Sequence, residues 1–186
     1  MLKVLRRFGF EEPIIRLIGS IYESTQAKVK KGSVTTSTLS TNQGVIQGCP
    51  LSPHLFNLFL EMVMNEAIKD YEGGIDVGGE LISNLRYADD VVLLAETVEE
   101  VQLLTSFVEA QCQKYHLNIN NTNTKVMKFG REMENVEVYL STGRIEQVGE
   151  YKYLGVWFTQ DRDTYRTIHE RIKLGHVAMN KLSTIC

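Results

Sequence analysis

Asp89 and Asp90 stand side by side between two strand-like runs, residues 81–88 and 91–95. Two residues between β-prone runs is the spacing of a tight hairpin, which predicts that both carboxylates sit at its tip. Aspartate favours turns for local reasons alone, so a solvated turn is one reading of the pair. A second reading rests on the flank. Residues 91–94, Val-Val-Leu-Leu, read as buried, and carboxylates held on a rigid element at the edge of a core are how hard-cation sites are built. Mg²⁺ takes a few carboxylates and completes its octahedron with water and phosphate oxygens, which is phosphoryl-transfer chemistry.

Residues 42–50, NQGVIQGCP, form a second candidate. Gly44 and Gly48 let the backbone approach a ligand closely, and the segment runs into a helix N-terminus, where free amides and the helix dipole favour an anion. An ordinary helix-entry loop fits the same residues equally well.

The elements that must position these residues are legible in outline. Leu2, Val4, Leu5 and Phe8 mark a short helix stopped by Gly9, and Pro13 opens another with Ile14, Leu17, Ile18 and Ile21 on one face. Residues 27–31 and the Thr-rich run to residue 41 predict a hairpin turning at Gly32-Ser33, with Lys28 and Lys30 on one side. Ser52 as N-cap and Pro53 after it start a helix to about residue 69, whose buried stripe is Leu55, Phe56, Phe59, Leu60, Val63 and Ala67. Thr97 and Glu100 make a capping box for a helix carrying Val98, Val101, Leu104, Val108 and Cys112 toward Tyr115. Short strands follow at 126–129, then 136–140 and 145–148 paired around residues 141–144, and a strand or hairpin in YKYLGVWF, residues 151–158. Asp163 or Thr164 caps a last helix with Ile168, Ile172, Val177 and Leu182 on its apolar side. Strands and helices mix without strict alternation, an α+β pattern.

Composition narrows the class. The 186 residues are 43 % hydrophobic and 23 % charged with a formal net charge of −3, an ordinary globular balance in a chain able to bury roughly 70 % of its unfolded surface. No apolar run approaches the ~18–20 residues of a membrane-spanning helix. The N-terminal segment lacks a secretory h-region, Glu11 and Glu12 argue against a mitochondrial presequence, and an intracellular protein is expected. Cys49, Cys112 and Cys186 have no CxxC spacing, which argues for reduced thiols over disulfides or zinc. Charge is segregated. Residues 1–60 carry seven basic and three acidic groups, 61–110 two and twelve, 111–150 five and five, and 151–186 six and three. Glu96, Glu99, Glu100 and Glu109 explain much of the acidic block as a solvated helix face. Basic flanks around an acidic centre also suit a protein that grips a phosphate backbone at its periphery and holds cations in its middle.

GVIQGCPLSPHLFNLFL, followed by LRYADDVVLLAE, resembles the palm of reverse transcriptases, and specifically of the non-LTR, LINE-like retrotransposon enzymes. KYHLNINNTNTKVMKFG resembles the segment after the catalytic hairpin, and EYKYLGVWFTQD the primer-grip hairpin. The last helix resembles the start of the thumb, so the likeness covers essentially the whole chain. It implies an α+β fold: part of a polymerase palm, an antiparallel sheet with packed helices and a YADD hairpin, plus the start of an α-helical thumb. Residues 1–43 would precede the glycine loop as a helical and hairpin part of fingers or palm, 44–159 would be the palm core and 160–186 the start of the thumb helix.

The resemblance also implies roles. Asp89 would be a ligand of two catalytic Mg²⁺ ions, with Mn²⁺ as a substitute, and Asp90 its less directly engaged neighbour. Gln47 and Gly48 would lie over the incoming nucleotide and template base, and Tyr153, Leu154 and Gly155 would position the primer 3′ end. RNA template, DNA primer and deoxynucleoside triphosphates are the implied partners. In-line nucleotidyl transfer needs two cations about 3.5–4 Å apart, which agrees with a carboxylate site.

Two departures stand out. The family's first catalytic aspartate lies upstream of these motifs, and before residue 44 the only acids are Glu11, Glu12 and Glu23, in or beside helices. One hairpin cannot by itself satisfy two Mg²⁺ ions, so the chain alone is expected not to polymerise. Asn123 occupies the place of a lysine in the family's INxxKT segment, with Lys125 two residues on, and an asparagine supplies neither cation nor proton donor. The alternative is a non-catalytic remnant that acts as a nucleic-acid or protein-binding module. His54, His116, His169 and His176 lack metal-ligand spacing. Tyr151, Tyr153, Trp157 and Phe158 suit packing as well as base stacking, and Arg166, Arg171 and Lys173 suit a solvated face as well as phosphate contact.

Overall fold

The computed structural model describes residues 1–23, 26–27, 30–31, 34–35, 39–40, 44–130 and 134–183. Two units divide the chain, Met1–Leu94 and Ala95–Cys186.

The first unit opens with α1 (Leu2–Arg7) and α2 (Glu12–Glu23). Four two-residue strands follow, β1 (Gln26–Ala27), β2 (Lys30–Lys31), β3 (Val34–Thr35) and β4 (Leu39–Ser40). β2 pairs with β3 and β1 with β4, both antiparallel, in keeping with the expected hairpin. Lys28 and the expected turn at residues 32–33 lie outside the described residues. Next come α3 (Ser52–Ile68), β5 (Ile75–Val77), β6 (Glu80–Ile82), β7 (Asn84–Tyr87) and β8 (Asp90–Leu93). The single strand expected over residues 81–88 is divided: its first part pairs with β5 across Gly78-Gly79 and its second with β8. Both glycines have positive φ, 70° and 95°, as a two-residue type I′ turn requires.

Leu5, Ile15, Ile18 and Leu55 form one core where α1, α2 and α3 meet, with Leu2, Tyr22 and Leu58 at its margin. Arg7 pairs with Glu66 and so ties α1 to α3 at the surface. The stripe of α3 is wider than its spacing foretold. Leu55, Leu60, Val63 and Ala67 are buried as expected, Met62 and Met64 are buried too, and Phe56 and Phe59 are only half-buried.

The second unit contains α4 (Val98–Lys114), β9 (Lys125–Val126), β10 (Tyr139–Leu140), β11 (Gly143–Arg144), β12 (Glu146–Gln147), β13 (Glu150–Tyr153), β14 (Val156–Thr159) and α5 (Tyr165–Ser183). The capping box of α4 is complete: the Thr97 hydroxyl accepts from Glu100 N–H at 3.2 Å, and the Glu100 carboxylate accepts from Thr97 N–H at 3.2 Å. The core gathers Val136, Val138, Leu140 and Ile145, with Val98, Val101, Ile119 and Val126 against them. β10 and β11 pair around Ser141-Thr142, within the expected 141–144 connection. β9 pairs in parallel with β12, which local sequence did not foretell. Asp163 Oδ1 accepts from Tyr165 N–H at 2.8 Å at the start of α5. On its apolar side Ile168, Ile172 and Val177 are more than half exposed.

Among the described residues every ladder has two strands, six antiparallel and one parallel. The antiparallel sheet expected of a palm is thus present here as separate pairs. A lone two-stranded ladder is marginal in water, and helix side chains take over the missing support. Gln102 of α4 behaves like a neighbouring strand, its Oε1 accepting from Tyr139 N–H at 2.7 Å and its Nε2 donating to Tyr139 C=O at 3.0 Å. One turn pair further on, the Glu109 carboxylate accepts from Ser141 N–H at 2.9 and 3.0 Å and from its hydroxyl at 2.6 Å. Glu109 was expected on a solvated face. It is instead an anchor, because an ionised carboxylate binds a turn's free N–H more strongly than water-exposed neutral acceptors do.

Gln102→Ala should lower stability by about 1–2 kcal/mol by stripping both main-chain bonds from Tyr139, read as a lower denaturation midpoint, with Gln102→Glu between it and the wild type. Burial first, and the Glu109 charge second, push the Cys112 thiol above its ordinary range, so little thiolate forms there. Peptide mapping after brief alkylation should find Cys49, half-buried in a loop, modified well before Cys112. Equal rates would show that α4 opens freely.

Candidate active site

The glycine segment folds as a turn from Ile46 to Cys49, closed by Cys49 N–H donating to Ile46 C=O at 3.2 Å. Gln47 and Gly48 are its two central residues and both are exposed. Gly48 has φ +85°, with nothing within 4 Å of the place a Cβ would take. Glycine is therefore required there by backbone conformation and not by crowding, as at the third position of a type II turn.

Ser52 was expected to cap α3 and does not. Leu51 takes that position, and Ser52 begins the helix with its hydroxyl turned back into the loop, donating to Ile46 C=O at 2.6 Å and lying 3.0 Å from the Tyr22 hydroxyl. The physical reason is the loop itself: the Ile46 carbonyl, which already accepts from Cys49 N–H, takes the hydroxyl of the buried Ser52 on its second lone pair. Ser52 thereby fastens Gln47 and Gly48 to the start of α3.

In the acidic hairpin Tyr87 pairs with Asp90, Arg86 with Val91 and Leu85 with Val92. The two-residue turn is consequently Ala88-Asp89, and the expectation of Asp89-Asp90 is corrected by one position. Asp89 is at the tip and Asp90 opens β8. Ala88 carries the left-handed conformation, φ +53°, that the first central residue of such a turn requires. Cross-strand partners share a face. Leu85, Tyr87 and Asp90 lie on the outer one, and all are exposed. Residues 91–94 were expected to be buried and are only half-buried, and among the described residues no third strand pairs with β8.

What holds this hairpin is Arg86, on its inner face. Its Nε donates to Asn84 Oδ1 at 2.7 Å, and its Nη1 donates to Glu61 Oε2 at 2.7 Å and Asn65 Oδ1 at 3.0 Å. Glu61 and Asn65 are one helical turn apart on α3. Sequence reasoning missed this trio. The available signal was Arg86 itself, one of two cations in the acidic stretch 61–110.

α3 therefore supports both candidate segments. Ser52 and Glu61 are nine residues apart, about 14 Å along a helix axis. Asp89 and Asp90 offer exposed carboxylate oxygens, the donor type of a hard cation, and fit Mg²⁺ as the one or two carboxylates such an ion takes from protein. Among the described residues no three His, Cys, Asp or Glu side chains gather as a ligand set.

The second unit holds Tyr153, Leu154 and Gly155. Tyr153 pairs with Val156, leaving Leu154-Gly155 as the turn, with φ +48° and +81°. Two positive values define a type I′ turn. Leu154 adopts this conformation although it is not glycine or asparagine, and its side chain is 49 % exposed. α5 grips β14 close to this turn: Thr167 Oγ1 accepts from Trp157 N–H and donates to Trp157 C=O, each at 3.0 Å. Arg166 pairs with Glu150 and stacks on Trp157, its Cζ 3.9 Å from the ring centroid. Arg166 is thus engaged within the protein while its side chain stays 42 % exposed. Lys125 is likewise engaged, donating to Glu146 Oε2 at 2.6 Å and Thr122 C=O at 2.7 Å. Asn123 C=O accepts from the Tyr151 hydroxyl at 3.5 Å.

The first unit thus carries an acidic hairpin, with Asp89 at its tip and Asp90 opening β8, and a glycine turn, both bonded to α3. Residues 1–158 match the family described as reverse transcriptase (RNA-dependent DNA polymerase), and the chain belongs to that family, in its non-LTR, LINE-like branch. It is 29 % identical to the Pol polyprotein of the type-1 retrotransposable element R2 of Nasonia vitripennis, over 94 % of this chain and 18 % of that protein. It is 28 % identical to the polyprotein of the type-2 element R2DM of Drosophila melanogaster, over 83 % of this chain and 15 % of the relative. The RNA-directed DNA polymerase from mobile element jockey of Drosophila funebris is 26 % identical over 91 % of this chain and 20 % of its own length. The chain spans a fifth or less of these relatives. No helix among the described residues is long and apolar enough to cross a membrane.

Leu154→Asn should stabilise the second unit by up to about 1 kcal/mol, since asparagine tolerates the left-handed region that leucine enters at a cost. A thermal melt checks the sign, and a lower midpoint would mean that the leucine side chain contributes packing that outweighs the strain.

Proposed function

We propose that this chain is part of the palm of an intracellular reverse transcriptase, with residues 1–43 preceding the glycine loop, 44–159 as palm core and 160–186 as the start of the thumb. The observation that supports it most is that α3 holds the Gln47-Gly48 turn through Ser52 and the Asp89 hairpin through Arg86. In this reading Asp89, with Asp90 beside it, holds Mg²⁺, for which Mn²⁺ can substitute. The bound cations would activate the primer hydroxyl and neutralise the triphosphate. Gln47 and Gly48 present an open turn, free of side-chain bulk at Gly48, to the incoming deoxynucleoside triphosphate and the template base.

Tyr153, Leu154 and Gly155 support the primer 3′ end. A leucine in a conformation that asparagine enters with less strain favours a role for its exposed apolar side chain at the tip. RNA template and DNA primer are the macromolecular partners. Two carboxylates hold one hard cation adequately and two poorly, so the chain by itself has an incomplete metal site and does not extend a primer. The alternative of a non-catalytic binding module draws no support from the comparisons.

The test is primer extension by the purified chain on an RNA template with a DNA primer, in Mg²⁺ and in Mn²⁺, beside a Mn²⁺ titration read by amide line broadening. The expected result is no extension, together with broadening centred on Asp89 and Asp90 that disappears in Asp89→Asn. Extension that is lost in Asp89→Asn would overturn the incomplete site and keep the polymerase reading. No broadening at either aspartate would remove the metal role.

A further inference from the structure

We propose that Arg86 is a positioning residue for the acidic turn, its guanidinium orienting the Asp89 and Asp90 carboxylates by clamping β7 to α3. The inference rests on the reading of those carboxylates as metal ligands and extends it to a group that touches neither metal nor substrate.

Among the described residues β7 and β8 have no third strand, and a lone hairpin is free to twist about its long axis. Such twisting displaces the tip most. A Mg²⁺-type ion tolerates little of it, because its ligands must lie near 2.0–2.1 Å in octahedral directions. Arg86 is three residues from Asp89 and directly opposite Val91, next to the Tyr87–Asp90 pair.

Its three bonds form a fixed frame. Nε is held within the strand by Asn84 Oδ1, which sets the plane of the guanidinium, and in that plane Nη1 meets Glu61 Oε2 and Asn65 Oδ1 on α3. A planar fork can do this and a single ammonium cannot. The Arg86 side chain is 18 % exposed and its partner Glu61 46 % exposed, so the cationic end is the more enclosed. These donors are directed to α3 and to Asn84, and the charge of Arg86 is balanced by Glu61. Removing both residues together leaves the net charge near the turn unchanged and takes away only the clamp.

That property separates positioning from electrostatics. Loss of the Arg86 charge alone should tighten cation binding at a nearby carboxylate, whereas loss of orientation should weaken it. The experiment uses Mn²⁺ alone on the 186-residue chain, comparing wild type, Arg86→Lys, Arg86→Met and the charge-balanced pair Glu61→Ala with Arg86→Met. Affinity is read by electron paramagnetic resonance, the turn by amide hydrogen exchange at residues 87–91 without metal, and folding by thermal melts.

About a tenfold weaker Mn²⁺ affinity is expected in the charge-balanced pair, with faster exchange at 87–91 and a cooperative melt retained. Arg86→Lys should not restore the wild-type affinity. Wild-type affinity and exchange in the charge-balanced pair would overturn the proposal, as would tighter binding in Arg86→Met. If Arg86→Met does not fold, Asn65→Ala at an exposed helix position carries the test, with weaker binding and faster exchange supporting the clamp and no change refuting it. If the wild type binds no Mn²⁺ at Asp89, the metal reading fails on its own, and the clamp is judged by exchange: acceleration in the pair variant supports it and unchanged exchange refutes it.

Discussion

The constraint on which the molecule turns is that, among the described residues, each strand has only one neighbour. A two-stranded ladder exposes both edges and buries little. In this chain the deficit is met by polar side chains that project from helices and bond to, or across, the ladders. Gln102 and Glu109 of α4 hold the β10–β11 pair, Glu61 and Asn65 of α3 hold β7–β8 through Arg86, and Thr167 of α5 holds β13–β14. Each such bond contributes only about 1 kcal/mol net, but each fixes direction as well as energy. Apolar packing alone, being non-directional, would seat a hairpin without setting its rotation.

This arrangement explains why the candidate residues are exposed and yet ordered in their geometry. Asp89, Gly48 and Leu154 occupy turn tips, where solvent and ligands reach them, while the bonds that anchor those turns are made by residues three or four positions away, Arg86, Ser52 and Trp157. The left-handed residues at two of these tips, Ala88 and Leu154, store strain of order 1–2 kcal/mol. Bases held by charge-assisted or reciprocal bonds are what allow such tips to persist.

The sequence disclosed those parts of the structure whose cause is local. Apolar spacing located the five helices among the described residues, Thr97 and Glu100 announced their capping box, and residues 151–158 read as a strand or hairpin. Errors fell where the deciding interaction is a pairing that residue type and apolar spacing do not disclose. The turn at residues 88–89 was displaced by one because the apolar runs alone cannot show that Asp90 belongs to the ladder opposite Tyr87. Ser52 reads as a cap from its type, but the Ile46 carbonyl and the Tyr22 hydroxyl claim it. Arg86, Glu109 and Gln102 look like surface residues until a partner 21 to 37 positions away is known. The parallel pairing of β9 with β12 has no local signature at all.

The joint between β14 and α5 has an optical consequence. Trp157 is the one tryptophan of the chain, and it lies at that joint, with the Arg166 guanidinium over its ring, the Lys152 ammonium 5.9 Å from the ring centroid and its main chain gripped by Thr167. Its indole emission therefore originates at a single point of the molecule, in a field set by two cations. The protein carries a built-in fluorophore at the contact between hairpin and terminal helix, and light absorbed at the red edge of the aromatic band interrogates that contact without any label.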